Sequence, residues 1–179
     1  MGARLNNDIG EKLLEAAAKL VCERGAGGLS IGEAAKACGV SKGTLYYYYK
    51  TKDDMLSALA GRFSAALDER LFSWMDSLSP ETGIGEAHSS LAAALFAGPE
   101  LRGVAALLSG EYCPAVESCR TALTGWRILF ELSAQRLSQE AGRKLEADSA
   151  RILPAALGLT LTYDTDEERA EALYALLGD

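Results

Sequence analysis

The chain has 179 residues, 49% hydrophobic and 24% charged, with a net charge of −7. That balance excludes a disordered chain, and no apolar run approaches the roughly 18–20 residues that a membrane span needs. The charge is divided: residues 1–52 hold eight basic and five acidic residues, net +3, whereas residues 53–179 hold ten basic and twenty acidic, net −10. Only the N-terminal end can therefore face phosphates.

In chain order the sequence reads as helix after helix, with no period-2 strand and no internal repeat. Ile9, Leu13, Ala16 and Leu20 recur at helical spacing. Gly25 ends that helix, and Ala26 to Gly28 form a loop. Ser30-Ile31-Gly32-Glu33 has the form of a capping box, in which Ser30 accepts from the Glu33 amide and the Glu33 side chain returns to Ser30. A short helix follows, to about Cys38. Gly39 suits a left-handed residue in a tight turn, and Ser41 is the N-cap of a third helix running to Lys50. Thr51 caps a fourth, with Asp53 and Asp54 at its positive end.

That fourth helix is long. Leu56, Leu59, Phe63, Leu67, Leu71, Trp74 and Leu78 make one apolar stripe. Ile84, His88, Leu91 and Leu95 mark a fifth helix, closed by Gly98-Pro99. A short helix covers Leu101 to Leu108. Pro114 suits the first turn of the next long helix, whose stripe is Val116, Cys119, Leu123, Trp126, Phe130 and Leu137. Two last helices are expected near 143–162 and 165–177, and Pro154 either kinks or restarts the first of them. The predicted fold class is all-α.

Two short helices joined by a glycine turn, the second opening with small polar residues, describe a helix-turn-helix. The second helix must enter a major groove, so its first positions must be short or polar. Ser41, Lys42, Gly43 and Thr44 meet that need. Ala34, Ala35 and Ala37 allow close packing, Val40 and Leu45 supply the buried side, and Lys50 and Lys52 flank the helix within reach of phosphates.

The stretch Ala-Cys-Gly-Val-Ser-Lys-Gly-Thr-Leu-Tyr-Tyr-Tyr-Tyr-Lys-Thr-Lys-Asp-Asp-Met at 37–55 resembles the DNA-binding segment of the tetracycline-repressor (TetR) family. The resemblance is specific over about the first 60 residues; beyond them only length and helix order agree. It implies a three-helix DNA-binding domain at 1–52 and a helical ligand-sensing and dimerisation domain at 53–179. It also implies a homodimer that binds a palindromic operator and is released by a small molecule. By the same resemblance Ser41, Lys42 and Thr44 meet bases or phosphates, Tyr46 meets the DNA backbone, Tyr47 and Tyr48 face DNA, and Ser30 and Lys52 meet phosphate. Two positions depart from the family pattern. Tyr49 stands where a buried phenylalanine is usual, so that of the four tyrosines it is the one expected to turn inward. Ala26 replaces an aromatic residue, which removes a packing anchor for Ala26 to Leu29.

Phe63, Leu67 and Trp74 on the fourth helix, with His88, Tyr112, Trp126 and Phe130, are the expected walls of a ligand cavity, Phe96 being a further aromatic of the same kind. Against this stands the plainer reading of each aromatic as core and of His88 as a paired core histidine. Cys113 and Cys119 are separated by about 240° on a helix and share no face. Cys22 and Cys38 read as inert buried thiols, and Asp164, Asp166, Glu167 and Glu168 as helix-start acids rather than a calcium loop. No zinc spacing, Gly-rich phosphate loop or serine-nucleophile motif is found, so no cofactor, metal or catalytic activity is expected. Residues 1–11 carry no apolar signal segment, and four irregularly spaced cysteines fit a reducing compartment, so the expectation is a cytoplasmic regulator. The alternative is a helical interaction protein that keeps the fold without operator binding. Lys42, Tyr46 and Lys52 argue against it.

Overall fold

The computed structural model describes the backbone of residues 2–141 and 149–177, and side chains from 8 to 140 and from 151 to 177. Among the described residues there are nine α-helices and no strand. They are α1 (Gly2–Arg24), α2 (Ile31–Ala37), α3 (Lys42–Tyr48), α4 (Lys52–Ser77), α5 (Ile84–Phe96), α6 (Glu100–Leu108), α7 (Pro114–Ala141), α8 (Ser149–Thr162) and α9 (Asp166–Leu177). Pro114 opens α7, and Pro154 lies inside α8 without restarting it. The part of the expected eighth helix at 143–148 falls outside the described residues. No single described helix is long and apolar enough to cross a membrane.

Two units account for the packing. The first comprises Met1–Phe63 and Gly103–Arg120. In it α1, α2 and α3 pack on one another. The α1 stripe that turns inward is Leu13, Ala17 and Val21, together with Leu14, whereas Ile9, Ala16 and Leu20 are only half-buried. The buried row steps by four and so advances about 40° in azimuth at each step, which makes the face against α2 and α3 slant around α1.

Caps hold these short helices. The Glu33 amide donates to Ser30 Oγ at 3.4 Å, but the Glu33 carboxylate does not return to Ser30; it pairs with Arg24 at 3.3 Å. A complete reciprocal box occurs instead at α4, where the Asp54 amide donates to Thr51 Oγ1 at 3.0 Å and the Thr51 amide to Asp54 Oδ2 at 2.9 Å. Gly39 has φ 67°, as the turn requires.

The α1–α2 loop is packed despite its small residue. Ala26 and Leu29 are buried, and a Cβ on Gly110 would lie 3.0 Å from the Ala26 methyl. The missing aromatic is thus matched by a turn that comes close enough to need a glycine, and the expected loss of anchor does not occur.

The second unit comprises Ser64–Arg102 and Thr121–Asp179. Here α9 packs on α5 and α8. The Trp126 indole donates to Asp68 at 2.6 Å, and Arg136 donates to the Met75 and Leu78 carbonyls at 2.9 Å each, closing the α4 C-terminus. The acidic residues near 166 do open a helix. Thr165 and Glu168 form its capping box, at 3.2 Å from the Glu168 amide to Thr165 Oγ1. Buried Arg169 donates to the Tyr163 and Asp164 carbonyls and to the Asp166 carboxylate, and Arg102 donates to the same Asp164 carbonyl at 3.2 Å.

Candidate functional site

In the first unit α3 presents its opening to solvent. Ser41 caps it, accepting from the Thr44 amide at 3.0 Å, and its hydroxyl also meets Thr44 Oγ1 at 2.9 Å. Ser30, Ser41, Lys42, Gly43 and Lys50 are exposed. Tyr46 is 48% and Tyr47 72% exposed, both far above what an unpartnered aromatic core residue shows. Leu45 is fully buried and holds the helix down.

Tyr48 behaves differently. It is half-buried, its ring meets Tyr47 edge-on at 5.3 Å, and a Cβ on Gly10 would touch it at 3.2 Å. The reason is helical geometry: Tyr48 follows Leu45 by three residues and shares its inward side. Tyr49 ends the helix in an extended conformation, half-buried. Burial, and then Glu11, raises its phenol pKa. Two of the four tyrosines therefore turn inward, where one was expected.

Two lysines are positioned by the backbone. Lys52 donates to the Gly27 carbonyl at 3.1 Å, tying the start of α4 to the α1–α2 loop. Lys42 lies across Gly32: a Cβ there would be 3.0 Å from Lys42 Cε, 3.5 Å from Nζ and 3.7 Å from Ser30 Oγ. Gly32 therefore makes room for an ammonium and a hydroxyl to converge at the start of α2, an arrangement suited to one phosphate.

The second unit contains a cavity of about 70 Å³, lined by Trp74, Ile84, Ala87, His88, Leu91, Phe130, Ser133, Ala134, Leu137 and Ile152. Trp74 and Phe130 meet edge-to-face at 5.8 Å. The Trp74 indole N–H is already engaged by the Ala87 carbonyl and Ser90 Oγ, each at 3.2 Å. Buried Ser133 donates to the Leu129 carbonyl at 2.9 Å, so its oxygen offers only lone pairs to the space.

Of the residues expected at a cavity, Trp74, His88 and Phe130 come together here. Leu67 and Trp126 are buried elsewhere in the same unit, and Trp126 is committed to Asp68. Phe63 and Tyr112 belong to the first unit; Phe63 is buried against Gly103, and Tyr112 is 74% exposed on the turn before α7. Phe96 is buried and does not line the cavity. The lining residues that sequence reasoning passed over are aliphatic or small. Ala87 and Ala134 stand on inward faces where a larger side chain would have filled the space.

Residues 13–59 match the family described as bacterial regulatory proteins, tetR family. The match covers this segment alone. It contains all of the residues described above from Ser30 to Lys52. Over 49 residues the chain is 37% identical to the HTH-type transcriptional regulator AcrR of Shigella flexneri, a match that spans 27% of this chain and only 23% of that protein. The fold is shared over nearly the whole length with solved structures of other proteins. The structure of AibR in complex with isovaleryl coenzyme A and operator DNA has a TM-score of 0.70 at 20% identity, covering 94% of this chain and 97% of that one. The transcriptional regulator FadR from Bacillus subtilis in complex with stearoyl-CoA has a TM-score of 0.66 at 15% identity, covering 93% and 96%. At these identities the likeness is one of fold.

Two cysteines, Cys38 and Cys119, fit an inert role. Cys38 Sγ donates to the Lys12 carbonyl at 3.1 Å, and burial pushes its pKa up. In α7, burial and then nearby Cys113 push Cys119 up to about 11, so neither thiol ionises near neutrality. Among the described residues no group of histidine, cysteine and acidic side chains could hold a metal.

Proposed function

We propose that the protein is a cytoplasmic, ligand-responsive transcription regulator, a repressor that binds a palindromic operator as a homodimer. Residues 1–52 engage DNA, and residues 53–179 sense the ligand and pair the subunits. The observation that carries this reading is the exposed opening of α3, with Ser41, Lys42, Gly43, Tyr46 and Tyr47 facing outward from a TetR-family segment. AibR and FadR, whose folds this chain resembles, were solved with coenzyme A esters, and AibR also with operator DNA. That supports a sensor role for the second unit and a regulator rather than an enzyme.

The test is a mobility-shift titration against the DNA flanking the protein's own gene. Lys52→Ala should weaken binding to every duplex alike and lower the salt slope by about one unit, since a phosphate contact carries no sequence information. Because Lys52 also holds the Gly27 carbonyl, the denaturation midpoint of Lys52→Ala separates loop disturbance from the lost phosphate contact. Lys42→Ala and Thr44→Ala should change preference among operators, by about 1–3 kcal/mol per lost base contact. A change of operator preference in Lys52→Ala with an unchanged salt slope would refute the assignment.

Pairing is expected through α8 and α9. Ile152, Leu153, Leu159 and Leu173 are satisfied inside the subunit, yet Leu161 remains 76%, Leu176 65% and Tyr163 39% exposed. A two-fold four-helix arrangement would cover these side chains and hold two recognition helices about 34–36 Å apart. Sedimentation at micromolar concentration should show a species of twice 19.0 kDa; only the single-chain mass would defeat this part of the reading.

A further inference from the structure

The glycine at position 32 answers no need of the backbone. It lies inside α2, and a positive φ is found at Gly25 and Gly39, not here. A glycine inside a helix destabilises it relative to alanine. The three atoms nearest to a Cβ at 32 belong to exposed side chains: Lys42 Cε at 3.0 Å, Lys42 Nζ at 3.5 Å and Ser30 Oγ at 3.7 Å. Other glycines differ. A Cβ at Gly28 would lie 2.8 Å from the Arg24 carbonyl oxygen, and one at Gly103 would enter the Phe63 ring. What the bare surface at 32 accommodates is the end of the Lys42 side chain, which crosses from the start of α3 to α2.

The contact is close enough to matter. Carbon atoms rest about 3.5–4.0 Å apart, so even a methyl at 32 displaces Lys42 Cε. The end of a lysine side chain is flexible and yields before the backbone does, so the fold survives the substitution. A branched side chain at 32 takes the space outright and turns the ammonium away from Ser30 Oγ. Charge-assisted hydrogen bonds depend on distance and direction, so the two groups then no longer converge on one acceptor.

We propose that Gly32 is a positioning residue for DNA binding. By lacking a side chain it lets Lys42 lie across α2 towards Ser30, and a larger residue at 32 lowers affinity through Lys42. The proposal rests on the DNA-binding role given to residues 1–52 above. Gly32 contributes no contact of its own.

The full chain is titrated at one salt concentration against the DNA flanking its own gene. Five proteins are compared: the parent, Gly32→Ala, Gly32→Leu, Lys42→Ala and the double variant Gly32→Leu with Lys42→Ala. Gly32→Leu should lose about fivefold or more in affinity and Gly32→Ala about twofold. Their denaturation midpoints should not fall below the parent's, because both residues favour a helix. With Lys42→Ala already present, Gly32→Leu should cost less than about twofold. An equal loss in both backgrounds would mean that the side chain at 32 obstructs DNA directly, and an unchanged affinity in Gly32→Leu would mean that the placement of Lys42 is irrelevant. Either result overturns the proposal. Should Gly32→Leu not fold, Gly32→Ala with and without Lys42→Ala carries the same cycle. A readout without DNA accompanies it: the unbound parent should show a nuclear Overhauser contact between the Gly32 α protons and the Lys42 ε protons, and its absence overturns the proposal. That contact in a parent chain that shifts no duplex would refute the DNA-binding reading, and the role of Gly32 would fall with it.

Discussion

Gly103→Val should lower the stability of the protein by about 2–3 kcal/mol, toward the top of the range for overpacking a core. A Cβ at position 103 would lie 2.3 Å from Phe63 Cε2 and 2.5 Å from Cζ, and Phe63 is itself 2% exposed. The ring cannot swing clear without displacing other core side chains. Removing a helical glycine would normally gain up to about 1 kcal/mol, so a net loss would isolate the steric term. Phe63→Leu shortens the obstructing side chain and should cost stability alone, yet recover part of the loss when combined with Gly103→Val. Urea denaturation of the four proteins gives the coupling through a double-mutant cycle. A valine variant as stable as the parent would show that α4 and α6 do not meet as described.

Arg169→Ala should cost about 2–4 kcal/mol, more than an ordinary surface change. The guanidinium is 2% exposed and donates to two carbonyls and the Asp166 carboxylate. Removing it strands the Tyr163 carbonyl at the turn between α8 and α9 and leaves the Asp164 carbonyl to Arg102 alone. Arg169→Lys should recover little, because an ammonium lacks the planar fork that serves three acceptors at once. Arg102→Ala, which loses one bond from a half-buried side chain, should cost about 1 kcal/mol. Denaturation midpoints check the order. Equal losses at 102 and 169 would mean that the turn, rather than the buried charge, sets the cost.

The elements most legible in the sequence were those with a long, regular stripe or a stereochemical necessity. The seven apolar residues from Leu56 to Leu78 all proved buried, since six steps at helical spacing leave one azimuth open. Gly39 and Ser41 followed from backbone strain and capping chemistry, which are local. Reading failed where two near-equal rows competed. In α1 the row through Ala17 and Val21 displaced the one through Ala16 and Leu20. In α3 Tyr48 followed Leu45 inward, a consequence of spacing that a run of identical residues conceals. The cavity was half legible. Aromatic residues draw the eye, but empty space arises from what is missing, and alanines at 87 and 134 carry no positive signal of their own. Tyr112 misled for a related reason: it sits on a turn, where no helical period fixes the direction of a side chain.

For the phosphate contact proposed at Lys52, its bond to the Gly27 carbonyl bears on the thermodynamics of association. A free lysine side chain forfeits up to about 2 kcal/mol of rotamer entropy when it is immobilised. In this protein part of that ordering accompanies folding, because Lys52 is already held in the unbound chain. The entropic penalty at the moment of association is correspondingly smaller, and a phosphate that approaches Lys52 meets a cation with its stem already set. Under the proposed function, loosening the α1–α2 loop would therefore weaken association even where no residue assigned to DNA were altered.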